Sequence, residues 1–216
     1  SDAAGTLWLD VAQRDWSDAL LAATGLTRAH MPSLIEGPQV SGQLTAAAAR
    51  ALGLMAGIPV VGGAGDNAAS AIGIGAVKPG DSFVSLGTSG VLFSVTDQHR
   101  PNVGEAVHAF CHALPGVWHQ MAVMLSAASA LTWVTRATGH ANEGELLAKV
   151  SVLSADKRDA APIFLPYLSG ERTPHNDAAA SGGVRNLKAR RMEHQAGHGL
   201  ALQGACAAIV GIAQNG

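Results

Sequence analysis

The chain is poor in the residues that would announce most special architectures. Two cysteines in 216 residues, Cys111 and Cys206, sit far apart on apolar stretches, which excludes a disulfide-stapled secreted scaffold and fits buried, reduced thiols in a cytoplasmic protein. Aromatics are 4% and charged residues 14%, so the chain is neither a polyelectrolyte nor an aromatic-rich recognition surface. A formal net charge of −2 gives no general attraction to nucleic acid or anionic membrane, and neither is expected as a partner. No apolar run reaches the length of a membrane span, and the opening residues carry no secretory signal pattern. What the chain does have is glycine, 26 residues of it, and a 48% hydrophobic content weighted to alanine and β-branched residues. That describes a turn-rich α/β protein long enough to bury a substantial core.

The glycines cluster where chemistry needs them. Ile58 to Val61 is short, apolar and punctuated by Pro59, which suits a buried strand; Gly62, Gly63 and Gly65 let the backbone turn tightly, and Ala68 to Ile74 resume as a small-residue helix. Asp66 and Asn67 then fall at the strand's C-terminal end, where open α/β sheets bind ligands. An aspartate at a helix start also serves as an N-cap, and spacing alone leaves both readings open. A second element, Asp81 to Leu86, then Gly87-Thr88-Ser89-Gly90, then Val91 to Val95, reads as a hairpin. Its turn would present backbone N–H groups and two hydroxyls in one concavity suited to phosphate oxygens, although such a turn standing alone is also just a hairpin. It is not a Walker loop, since no Gly-Lys-Ser/Thr follows. Gly87 and Gly90 are expected to permit backbone geometry that a Cβ would hinder.

Other features read more plainly. Val107 to Leu125 is a hairpin turning at Pro115-Gly116; on its first strand His108 and His112 would share a face ~13 Å apart, too far for one ion, so no metal site is expected there. Trp8, Trp16 and Trp133 are expected in the core. Thr6 to Leu9 is strand-like, Trp16 to Ala23 and Thr45 to Leu54 are helical, and Ser126 to Ser129 marks a switch from strand to helix with small residues at the helix start. Glu171 and Arg172 are expected to brace their loop as an ion pair. Arg172, Arg185, Lys188, Arg190 and Arg191 concentrate five of 14 basic residues, read as a solvated surface loop.

Taken in order, Gly65-Asp66-Asn67, Leu86 to Gly90, Phe110 to Pro115, Leu125 to Ser129 and Phe164 to His175 resemble the FGGY carbohydrate kinases, and within them the branch acting on D-xylulose; Ser1 to Asp10 resembles the same group. The resemblance covers residues 1 to about 176 and implies a ribonuclease H-like (actin-like ATPase) two-lobed kinase, of which this chain is an incomplete portion. Residues 1–76 would be the end of the first lobe and 77–216 the start of the second. The implied reaction is ATP-dependent phosphorylation of a ketopentose, D-xylulose to D-xylulose 5-phosphate, with ATP and Mg²⁺ required. The alternatives are another sugar or polyol kinase of the family, or a non-catalytic fragment; a glycerol kinase would show Gln after the aspartate, where this chain has Asn67. By the same resemblance Asp66 is the general base and touches the sugar with Asn67. Gly87, Thr88 and Ser89 grip the ATP phosphates, and Ala128 and Thr132 border the nucleotide. Sugar and ATP are the partners, the location is cytoplasmic, and a homodimer is left open.

Three family motifs have no counterpart: the Asp-x-Gly-Thr hairpin of the first lobe, the Met-His-Gly sugar contact and the downstream adenine turn. The segment 184–199 also departs from the family, and only Leu200 to Ala208 resembles its next helix. Phosphoryl transfer needs phosphate donors from both lobes aligned on one ATP. Residues 1–216 alone are therefore expected to show no measurable sugar kinase activity and at most weak nucleotide binding. Phosphorylation of D-xylulose by the purified chain at an ordinary enzymatic rate, abolished by Asp66→Ala, would overturn this fragment reading.

Overall fold

A computed structural model describes residues 1–185. Cys206, the basic residues Lys188, Arg190 and Arg191 and the segment Leu200 to Ala208 lie outside the described residues. In chain order the elements are β1 (Leu9–Asp10), β2 (Asp15–Trp16), α1 (Asp18–Ala23), β3 (Val40–Gln43), α2 (Ala46–Leu52), β4 (Pro59–Val61) and α3 (Asp66–Ile74). There follow β5 (Ser82–Leu86), β6 (Gly90–Thr96), β7 (His108–Cys111), β8 (Trp118–Met124), α4 (Ala128–Ala137), α5 (Glu143–Ser151), α6 (Ala155–Asp159), β9 (Ile163–Leu165) and β10 (Gly183–Arg185). Two compact units share them: Ser1–Val84 with Leu92–Ala122, and Ser85–Val91 with Val123 onward.

In the first unit, local signals set the helix ends. Ser17 and Thr45 accept the N–H groups of Leu20 and Ala48, capping α1 and α2, and Gly53 and Gly75 close α2 and α3 in the left-handed conformation. β3 and β4 pair antiparallel, as do β7 and β8, the latter matching His108 with Met121 and Cys111 with Trp118. The four-stranded sheet runs β5-β6-β8-β7. The expected strand from Thr6 to Leu9 is extended only from Leu9: Thr6 ends a 3-10 turn, Asp2–Thr6, and β1 begins at Leu9. The Thr6 hydroxyl donates to the Ala3 carbonyl and Leu7 turns to φ 72°, a local hydrogen-bonding alternative that outcompetes the strand.

Two apolar clusters hold this unit. Ala4, Leu9, Trp16, Leu21 and Cys111 form one, and Ala71, Ala76, Phe93 and Val95 the other. Burial raises the Cys111 thiol pKa, keeping it protonated. Phe93 is fully buried and stacks on Phe83 and on His119, with ring centroids 4.8 and 4.2 Å away. His112 lies just beyond β7 rather than within it. Its Nδ1 accepts the Leu114 N–H, so the other ring nitrogen, Nε2, carries the proton toward the Ala76 carbonyl at 3.2 Å. Arg14 reaches the same hairpin: it forms a two-point ion pair with Glu36 at 2.6 and 2.8 Å, donates to the carbonyls of Leu114 and Val117, and lies over the Trp118 ring. That guanidinium holds the Glu36 carboxyl below its ordinary range.

In the second unit α4 and α5 pack through Ala130, Val134, Leu146 and Val150 against Phe164 of β9, which pairs with β10. Asn142 caps α5 through the Glu145 N–H. Trp133 is not core. Ala130 and Val134 take the buried face of α4, which leaves the Trp133 ring 44% exposed and stacked on Phe164.

His119 provides a stability test. Its ring is buried, with Nδ1 lacking any hydrogen-bond partner among the described residues, and burial with the neighbouring His112 lowers its pKa from 6.5 to about 3. Above pH 6.5 both folded and unfolded chains carry it neutral. As pH falls from 6.5 toward 3 only the unfolded chain takes up the proton, so stability is lost across that window. His119→Phe is expected to flatten this loss in urea-unfolding midpoints measured against pH. Parallel pH profiles for the two proteins would contradict the assignment.

Candidate functional site

The first candidate lies at the end of β4. The Gly62 and Gly63 N–H groups donate to the carbonyls of Gln39 and Gly37, and Gly63 takes φ 73° to make the turn. Gly65 is the N-cap of α3, and Asp66 is its first helical residue. Asp66 Oδ1 accepts the Asn67 backbone N–H at 2.8 Å and the Asn67 side-chain amide at 3.2 Å. One carboxylate oxygen thus satisfies a helix-start donor and ties down Asn67, a role close to capping. The other, Oδ2, has no hydrogen-bond partner among the described residues, and the side chain is exposed. Such an oxygen can accept a proton from a ligand hydroxyl while its twin fixes the carboxylate's orientation.

The second candidate lies in the other unit, at the β5–β6 turn. The Gly87 N–H donates to the Ser89 carbonyl, and the carbonyls of Gly87 and Thr88 turn toward the start of α4. There the Ala128 N–H donates to Gly87 at 2.9 Å, and the Thr88 oxygen accepts the Ala127 N–H at 2.9 Å and the Ser129 hydroxyl at 2.9 Å. The first-turn donors of α4, expected from the small residues to be approachable by a ligand, are therefore engaged by the hairpin itself. The N–H groups of Thr88 and Ser89 and the Thr88 hydroxyl are left without protein partners among the described residues, so the turn keeps an anion-binding edge.

A groove of about 440 Å³ runs beside this turn, lined by Thr88, Ala128, Ser129, Thr132, Trp133 and Arg136. The structure thus gathers Thr88, Ala128 and Thr132 of the expected nucleotide set on one groove. Trp133 and Arg136 join them; their i, i+4 spacing from Ser129 and Thr132 was the available sequence signal. The Thr132 hydroxyl donates to Glu143 at 2.7 Å, which lowers the pKa of that carboxyl. The two turn glycines differ from expectation. A Cβ on Gly87 would meet only the Ser89 carbonyl oxygen at 3.7 Å, so the chain itself does not forbid one. A Cβ on Gly90 would press at 3.3 Å on Ala127 and Met124, so Gly90 is the one whose neighbours would have to give way.

Glu171 braces its loop through backbone donors rather than through the expected partner's guanidinium. Its Oε1 accepts the N–H groups of Leu125 and Arg172 at 2.9 and 2.8 Å. His108 stacks on Phe110, and the Cys111 thiol points at the Val11 carbonyl. Among the described residues no three His, Cys, Asp or Glu side chains group as metal ligands, and no helix is long and apolar enough to cross a membrane.

Comparison with known proteins bears on both candidates. The N-terminal domain of the FGGY family of carbohydrate kinases matches residues 1–73, and its C-terminal domain matches residues 82–215. A protein named xylulose kinase from Escherichia coli K12 is 53% identical over 182 residues, 84% of this chain and 37% of that relative. One of the same name from Lactococcus lactis is 35% identical over 190 residues, 88% of this chain and 37% of the relative. Among solved structures, a xyloylose kinase from Brucella ovis superposes with a TM-score of 0.84 at 50% identity, covering 95% of this chain and 40% of that one. A Plasmodium falciparum glycerol kinase with ADP, at 15% identity and a TM-score of 0.74 over 94% of this chain and 40% of that one, shares the fold. The chain spans well under half the length of each of these proteins, and its mixed α/β elements are those of the actin-like ATPase fold. With both family domains matched in order along its length, the chain belongs to the FGGY family of carbohydrate kinases.

Proposed function

We propose that this chain forms part of an ATP-dependent ketopentose kinase that converts D-xylulose to D-xylulose 5-phosphate. The observation that carries the kinase reading is the 87–89 turn, whose carbonyls are tied back to α4 while its N–H groups and the Thr88 hydroxyl stay open beside a groove. The substrate rests on relatives named xylulose kinase at 53% and 35% identity. The same proposal assigns residues 1–76 to the end of the first lobe and 77–216 to the start of the second, supported by family matches over 1–73 and 82–215. A cytoplasmic setting, in which ATP and a reduced Cys111 coexist, belongs to it as well.

The chemistry follows from the side chains. A sugar hydroxyl is a weak nucleophile at neutral pH, and a carboxylate that takes its proton as the new bond forms is worth roughly 10²–10⁴-fold. In this assignment Asp66 Oδ2 accepts the proton of the C5 hydroxyl, the C5 oxygen bonds to the γ-phosphorus, and the bond from that phosphorus to the β-phosphate oxygen breaks to release ADP. Asn67, itself held by Asp66 Oδ1, orients the sugar. Gly87, Thr88 and Ser89 would hold the phosphates, and Ala128 and Thr132 would border the nucleotide along the groove. The described residues build no carboxylate cage for Mg²⁺. The ion would enter bound to the ATP phosphates and water, its common mode in kinases, and would neutralise phosphate charge.

The test is ADP release by the complete kinase carrying this sequence, over a panel of ketopentoses and polyols. Highest kcat/KM on D-xylulose is expected, and a preference for a polyol would overturn the substrate. Asp66→Ala should lower kcat by at least ~10²-fold with the fold intact, whereas Asn67→Ala should act mainly on the sugar KM. Near-normal turnover in Asp66→Ala would remove the base from this position. Because the chain accommodates a Cβ at residue 87, Gly87→Val probes the ligand's approach rather than folding, and a raised ATP KM is expected. Unchanged nucleotide affinity by calorimetry would move the phosphate site elsewhere.

A further inference from the structure

Glu171 has no place in the chemistry above, yet it is the one carboxylate enclosed to 2% exposure among the described residues. Burying a carboxylate is costly unless its hydrogen bonds do something an apolar side chain cannot. Oε1 takes two backbone donors, Leu125 N–H at 2.9 Å and Arg172 N–H at 2.8 Å, while Oε2 is buried without a hydrogen-bond partner among the described residues. The Glu171 backbone is fixed in turn by a two-way bridge with Asp177, both N–H to O distances being 2.9 Å. Two residues on, the Thr173 hydroxyl accepts the Val123 N–H at 3.0 Å, and the Thr173 N–H donates to the Val123 carbonyl at 3.1 Å.

Residues 171–173 therefore serve the end of β8 as a neighbouring strand would, but with side-chain acceptors on the alternate N–H groups of Val123 and Leu125. Only Ser126 separates Leu125 from Ala127, where the donors that hold the Thr88 and Gly87 carbonyls begin. The path from Glu171 through Leu125 and Ala127 to Thr88 is continuous and lies within one unit. A charged acceptor at its start fixes the junction more firmly than a neutral one.

We propose that Glu171 is a positioning residue for nucleotide binding, acting through the β8–α4 junction on the 87–89 turn. The inference rests on the reading of that turn as the phosphate site. In the complete kinase, Glu171→Ala is expected to raise the KM for ATP about tenfold and to leave the KM for sugar within about twofold, and Glu171→Gln, which keeps an acceptor oxygen, to recover most of the loss. A role confined to stability would lower the folded fraction, and so the apparent kcat, without moving either KM. An ATP KM within about twofold of the parent in Glu171→Ala would overturn the proposal. Should that variant fail to fold, Thr173→Val removes the neighbouring acceptor and is expected to raise the ATP KM in the same direction; an unchanged value there counts equally against it. Thr88→Ala run in parallel separates the two claims. If it leaves ATP binding unchanged, the phosphate-site reading fails; if it weakens ATP while the Glu171 and Thr173 variants do not, only the positioning role fails.

Discussion

The hydrogen bonds from the first amides of α4 to the carbonyls of Gly87 and Thr88 are the constraint on which the groove of the second unit depends. A helix start has donors that must be satisfied, and α4 begins on Ala127 with no side chain able to do it. The hairpin supplies the acceptors. Once its carbonyls are bound to the helix, the N–H groups of Thr88 and Ser89 are left without partners among the described residues. The same contact favours small residues on both sides, as at Gly90 and at the alanines and serines of 126–129. It also sets the course of α4, so that Thr132, Trp133 and Arg136 line the groove while Ala130 and Val134 face the core.

The turn before Asp66 has a comparable support in the other unit. Its packing relies heavily on alanine, which offers little apolar area per residue, and polar side chains fasten what alanine cannot. Arg14 reaches carbonyls about a hundred residues away in sequence and grips Glu36, which introduces the 37–39 segment. That segment accepts the N–H groups of Gly62 and Gly63, the last backbone donors before Gly65 and Asp66. The orientation of Asp66 thus stands on an ion pair partly shielded from water, where charged hydrogen bonds hold geometry better than they do at an open surface.

What the sequence made legible was whatever is encoded locally. Glycines before Asp66 and between β5 and β6, and the Pro115-Gly116 turn before β8, located those elements to within a few residues, and the order of short motifs identified the family. What it concealed depends on direction and distance. Nothing local tells which way the Gly87 and Thr88 carbonyls point, and so the start of α4 looked open. Glu171 finds the Leu125 amide 46 residues away, a partner no spacing rule supplies. Trp133 reads as core by residue type, and only the packing of Ala130 and Val134 shows that this helix turns its tryptophan outward. At Leu7 a single hydroxyl three residues from its carbonyl partner was enough to replace a strand with a turn.

The outward tryptophan gives the protein a built-in optical reporter. Of the four tryptophans, Trp8, Trp16 and Trp118 belong to the first unit, while Trp133 stands alone in the second, at the groove beside Thr88 and stacked on Phe164. Indole emission shifts with the polarity and quenching groups around the ring. A molecule settling into this groove would displace water from that face and change the emission of the ring. Fluorescence of the unlabelled protein can therefore report on occupancy of this groove.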